Sequence, residues 1–185
     1  MNKVNHSSAW TESGYDLFAR EGDLGLQVER LARITGLNKS GFYHYFGDIE
    51  GFHAALLTLH EKTAAIYMEE LKGIKSIEPD YLNLLVKYKT PVMFQMQLTR
   101  TKSNPYFQKM VELVNQMQET ILSPVWCDYL GVDNNSDLGM RYFNIVRDTF
   151  YFRVTFQNFS YLHLQNVLGE ARIILNNLSE QKSLA

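Results

Sequence analysis

Residues 26–52 read LQVERLARITGLNKSGFYHYFGDIEGF, and the fold turns on how this stretch is divided. Val28, Leu31 and Ala32 fall on one side of a short helix, and Gly36 follows as its stop. Asn38 suits the N-cap of a second short helix ending about Phe46, with Phe42 and Phe46 one turn apart on its buried side. A helix, a tight glycine turn and a short helix with a polar start form a helix-turn-helix pattern. The second helix of such a pair needs a thin polar face to enter a groove about 12 Å wide. Its other face has to lock onto the first helix, which Leu31, Leu37, Phe42 and Phe46 can do. Lys39, Ser40, Gly41, Tyr43 and His44 then remain to face a nucleic acid. Gln27 and Asn38 open the two helices, where free backbone amides suit phosphate.

Outward from the motif, apolar spacing stays helical almost throughout, without strand-type alternation or internal repeats. A helix of about 8–21 precedes it, with Trp10, Gly14, Leu17 and Phe18 on one face. Asp48 caps a long fourth helix running to about Lys72. Gly73 and Pro79 mark a linker, a helix of about 80–90 follows, and Pro91 breaks or kinks what comes next. After Asn104-Pro105 the pattern Phe107, Met110, Val111, Val114, Met117, Ile121, Leu122, Val125 is cleanly amphipathic, with a kink expected at Pro124. A helix of about 137–158 is apolar on nearly every side. A last helix, opening at Ser160, carries Leu164, Val167, Leu168, Ala171, Leu175 and Leu178 in register. The expectation is an all-α chain: a three-helix unit over residues 1–47, joined by a long helix to a larger helical bundle within 48–185.

Composition narrows the classes. The chain has 185 residues, 45% of them hydrophobic, enough for a real core. Its one cysteine, Cys127, cannot form an internal disulfide and fits a reducing, cytoplasmic setting. No signal-peptide pattern opens the sequence, and no apolar run approaches the ~18 residues a membrane span needs. Net charge is −2, and residues 1–50 hold five basic against seven acidic side chains. A DNA-binding segment normally leans basic. That balance keeps open an alternative, a ligand-sensing or protein-interaction module of the same fold without DNA binding.

Leu31-Ala32, Gly36-Leu37-Asn38-Lys39 and Phe42-Tyr43-His44-Tyr45-Phe46, followed by a helix carrying Glu50, resemble the signature of the TetR family of transcriptional regulators. Gly14-Tyr15-Asp16-Leu17-Phe18 and Arg20-Glu21-Gly22 resemble that family's first helix and following loop. The match covers about residues 10–52. It departs at Gln27, Ser40, Gly41 and Ile49, where relatives commonly carry Thr or Ser, Gly, Thr and Lys. The resemblance implies a homodimeric one-component regulator, in the usual case a repressor. Such a protein binds palindromic operator DNA and is released by a small apolar or amphipathic ligand.

The DNA-contacting set is then Gln27, Asn38, Lys39, Ser40, Gly41, Tyr43 and His44. A ligand pocket is expected among Met93, Phe94, Met96, Phe107, Met110, Val114, Met117, Arg147 and Phe150. The dimer contact is expected at Phe152, Phe156, Leu164, Val167, Leu168, Ala171 and Leu175. Methionine and aromatic stripes are more often core or dimer packing than pocket wall. His53 and His60, seven apart, do not have metal-ligand spacing, so neither a metal nor a cofactor is expected. No catalytic arrangement stands out, and an enzyme is not expected.

Overall fold

The computed structural model describes residues 6–101, 104–133 and 137–183, and their side chains except at 137–138 and 174–183. Among the described residues every regular element is helical. These elements are α1 (His6–Glu21), α2 (Val28–Thr35), α3 (Lys39–Phe46), α4 (Ile49–Leu71), α5 (Leu82–Lys87), α6 (Lys89–Arg100), α7 (Pro105–Leu130), α8 (Asp137–Arg153) and α9 (Tyr161–Ser183). A single 3-10 turn, Asp23–Gly25, separates α1 from α2, and a wide turn over Ile77–Tyr81 leads into α5. No helix of the described residues is long and apolar enough to cross a membrane.

The chain packs as two compact units. One comprises Met1–Tyr67 and Thr90–Asn115, the other Met68–Lys89 and Gln116–Ala185. The motif boundary at 47/48 marks a different division, because the first packing unit also takes in most of α4, nearly all of α6 and the start of α7.

The first unit is an aromatic core closed by small residues. Phe94 of α6 stacks on Tyr15 at 4.2 Å and lies 4.5 Å from Phe18, while Phe18 meets Phe107 edge-on. Gly14 lets α1 approach α4 closely, since a Cβ there would lie 2.4 Å from the Phe52 ring. Gly51 is needed for the same kind of reason, because its Cβ would sit 2.0 Å from the Phe46 carbonyl oxygen.

Four helices of this unit also share a buried polar chain. The Tyr15 hydroxyl lies 2.7 Å from His60 Nδ1, and His60 Nε2 lies 2.9 Å from Gln95 Oε1. Gln95 Nε2 donates to the Val111 carbonyl and to Asn115 Oδ1, both at 3.4 Å. A neutral His60 protonated at Nε2 satisfies the set: Tyr15 donates to His60, and His60 donates to Gln95. Burial pushes the Tyr15 hydroxyl far above its ordinary pKa and holds the His60 imidazole down to about 4, with its bond to Gln95 acting the other way.

The second unit is organised around Trp126, whose indole N–H donates to the Gly139 carbonyl at 3.0 Å and whose ring meets Phe143 edge-on. Cys127 is fully buried, and a Cβ on Gly139 would lie 2.6 Å from its Sγ. Glu78 accepts from the Tyr129 hydroxyl at 2.8 Å and from Gln165 at 2.9 Å. Lys89 lies over the Phe156 ring.

Helix limits depart from expectation in three places. The helix expected over 80–90 is shorter, and α6 opens at Lys89 with Pro91 in its first turn, where a missing N–H costs nothing. Helix α7 continues through Pro124 to Leu130. Helix α8 stops at Arg153 instead of Asn158. There Thr155 N–H donates to Asn158 Oδ1 at 2.7 Å, and Asn158 Nδ2 donates to the Arg153 carbonyl. These local side-chain bonds offer the backbone an alternative to continuing the helix.

Candidate nucleic-acid interface

The turn between α2 and α3 is built from Thr35, Gly36 and Asn38. Thr35 Oγ1 donates to the Leu31 carbonyl at 2.8 Å and accepts from Leu37 N–H at 3.3 Å. Gly36 takes a left-handed conformation, φ 69° and ψ 14°, which a side chain would strain. Asn38 is extended at φ −77°, and its side chain accepts from Ser40 N–H at 3.0 Å, so it caps α3.

Leu31 and Phe42 are fully buried. Phe42 is edge-on to Trp10 at 5.4 Å and lies 5.1 Å from Phe46 and 5.0 Å from Phe52. This ring cluster fixes the rotation of an eight-residue helix too short to hold itself in water. With Phe42 inward, Lys39, Ser40, Tyr43 and His44 are exposed, as are Gln27 and Asn38 at the two helix starts. Gly41 is half-buried, and a Cβ added there would meet open space. Of the seven residues expected to face a nucleic acid, six are exposed and Gly41 is half-buried. Gln27 occupies the N-cap position of α2 but makes no side-chain capping bond.

The charges nearby are largely committed. Lys39 Nζ donates to Glu29 Oε1 at 2.8 Å across the two helices, and this bond holds the Glu29 carboxyl below the ordinary glutamate range. Arg30 pairs with Glu21 and Arg20 with Asp16. Arg33, exposed in the last turn of α2, makes no ion pair among the described residues. Arg33 and the exposed Tyr45 were not in the expected set. A signal existed for Arg33, which sits two positions past the buried Leu31 and so turns away from the core.

The residues expected to line a ligand pocket are divided between the two packing units. Met93, Phe94, Met96, Phe107 and Val114 are buried in the first unit, with Met110 partly exposed there. Phe94 is spent on the ring stack with Tyr15. Met117, Phe150 and Arg147 belong to the second unit. Met117 is exposed there, and Arg147 pairs with Glu119 at 2.5 Å.

The expected dimer residues divide as well. Leu164, Val167 and Leu168 are buried within the second unit, Phe156 and Ala171 are half-buried, and the Leu175 side chain lies outside the described residues. Phe152 is 93% exposed. Other apolar side chains stand out instead: Ile145 on α8, and Leu162 and Ile173 on α9, each more than 60% exposed. A helix with apolar residues on two sides does not reveal from spacing alone which side turns inward.

Among the described residues, no three His, Cys, Asp or Glu side chains gather as metal ligands would. No protein-family model matches the chain, and no curated protein matches it.

Proposed function

We propose that the chain is a DNA-binding transcriptional regulator of the helix-turn-helix type that works as a homodimer, with the Asn38–His44 segment entering the major groove. One observation carries this reading. Buried Phe42 pins α3 behind the Gly36 turn so that Lys39, Ser40, Tyr43 and His44 stand outward together from one short helix. In that role Lys39 and Tyr43 hold backbone phosphate, and Ser40 reads a base edge. Residues of α4 belong to both packing units, which gives a small ligand held by the helical bundle a route to alter the spacing of two reading helices. A dimer would set those helices about 34–36 Å apart, one turn of duplex.

The test is selection from random duplex DNA by the purified protein, followed by titration at several salt concentrations. Lys39→Ala should weaken binding to selected and unselected duplex alike. It should also flatten the log–log salt dependence by about 0.9, the share of one phosphate contact. Binding unaffected by both Lys39→Ala and Tyr43→Ala would show that another face reads DNA.

A second reading, the same fold used for ligand or protein recognition without DNA, is favoured by the pairing of Lys39 with Glu29 and Arg30 with Glu21. Those pairs leave few uncommitted cations beside the motif. Failure to select any duplex at low salt would make this second reading the better one.

A further inference from the structure

Helices α2 and α3 carry three cationic side chains, Arg30, Arg33 and Lys39, and carboxylates of the first unit hold two of them. The two ties differ in kind. Glu21 engages Arg30 with both oxygens and joins the end of α1 to α2. Its Cβ would lie 2.8 Å from a Cβ on Gly25, so this pair is built into the packing of the connecting turn. Lys39 Nζ donates to Glu29 Oε1 at 2.8 Å between side chains that are 51% and 65% exposed. Lys39 is the first residue of α3 and Glu29 the second of α2. The Phe42 ring cluster and the Gly36 turn already hold α3 in place without them.

We infer that Glu29 is an intramolecular stand-in for a phosphate: it occupies the Lys39 ammonium in the free protein, has to yield it when DNA binds, and so sets how tightly the reading face holds any duplex. The inference rests on the DNA-binding reading proposed above. An exposed ion pair stabilises a fold little, because water and salt screen it, and α3 has its anchor elsewhere. The cost of the pair falls on the complex. Lys39 has to exchange one oxygen anion for another, and the carboxylate left behind stands in the negative potential of the duplex. Glu29 does not choose between sequences, because the phosphate that replaces it is the same at every base step.

The experiment runs selection from random duplex DNA with the wild type and Glu29→Gln side by side. Affinities of both proteins, of Lys39→Ala and of the double variant are then measured for a selected and an unselected duplex. Glu29→Gln should stay helical by circular dichroism and bind both duplexes about threefold more tightly, with the gain shrinking as salt rises. Lys39→Ala should cost about threefold more affinity in the Glu29→Gln background than with Glu29 present, because only there is the ammonium free from the start. A readout without DNA is the NMR titration of the Glu29 carboxyl. Lys39 holds it below the ordinary glutamate range, and Lys39→Ala should move it up. Duplex selection by Glu29→Gln alone would support the inference most directly. Glu29→Gln binding no more tightly than the wild type, or a Lys39→Ala loss equal in both backgrounds, would overturn it while leaving DNA binding intact. A carboxyl titration unmoved by Lys39→Ala would overturn it as well, since the tie would then be absent in solution. Duplex binding by neither protein would remove the DNA-binding proposal, and this inference with it.

Discussion

At the scale of single residues, the buried His60 makes the sharpest statement. An unfolded chain titrates its histidine near 6.5, whereas burial holds His60 down to about 4 in the folded protein. Between those values the unfolded chain binds a proton that the folded state refuses. The stability tied to His60 is therefore complete above pH 6.5, falls as the pH drops through this window, and levels off below about 4. At pH 5 the loss amounts to about 2 kcal/mol. His60→Gln retains a side chain that can accept from Tyr15 and donate toward Gln95 but does not titrate. Urea unfolding at pH 7.5 and pH 5 should show the difference between the two pH values shrinking by about that amount in the variant. Identical pH dependence in the two proteins would remove His60 from the account. Nothing local in the sequence announced this chain of bonds: Tyr15 lies 45 positions from His60, and Gln95 a further 35. A histidine on an apolar helix face shows only that burial is coming, and its partners are set by how the helices meet.

Individual helices were legible where a local signal marks both ends. Gly36 and Asn38 fix the close of α2 and the start of α3 through a left-handed turn and a side-chain cap, and both are visible as residue types. Pro91 was misleading because the same residue breaks a helix interior yet is accommodated in a first turn, and only the start at Lys89 decides between them. The outward residues of α3 were legible for a related reason: once Phe42 is inward, a helical period places the rest. Gly41 then offers a clean test at this scale. Its Cβ position is open, so Gly41→Ala adds helix propensity without a clash. The substitution should raise the unfolding free energy by about 0.5–1 kcal/mol, read from the urea midpoint at unchanged slope. A destabilised Gly41→Ala would mean that the helix needs a backbone freedom at this position that the geometry does not suggest.

For the whole molecule, the question is what covers the apolar side chains that stand outside the second unit. Ile145 and Phe152 are seven apart on α8, Leu162 and Ile173 eleven apart on α9, and both spacings return to one face of a helix. The half-buried Gly169, also with open space at its Cβ, lies on the same face of α9 and would admit a close neighbour. If a second copy covers these faces, Phe152→Glu should shift sedimentation from dimer to monomer at micromolar concentration while circular dichroism stays helical. A wild-type monomer under those conditions would refute the homodimer outright. That two helices would carry such a surface was legible in their apolar excess; which stripe each turns outward was not, because that depends on the rest of the bundle. The polar chain in the first unit has a last consequence, at the level of how the protein opens. Tyr15, His60, Gln95 and the Val111 carbonyl come from α1, α4, α6 and α7, and each bond in the sequence hands its donor to the next. Detaching any one helix strands a buried group on its neighbour, so partial opening carries nearly the full penalty of complete opening. Amides on the inner faces of these four helices should therefore exchange with solvent as a single cooperative block, with one shared protection free energy instead of a gradient from end to end.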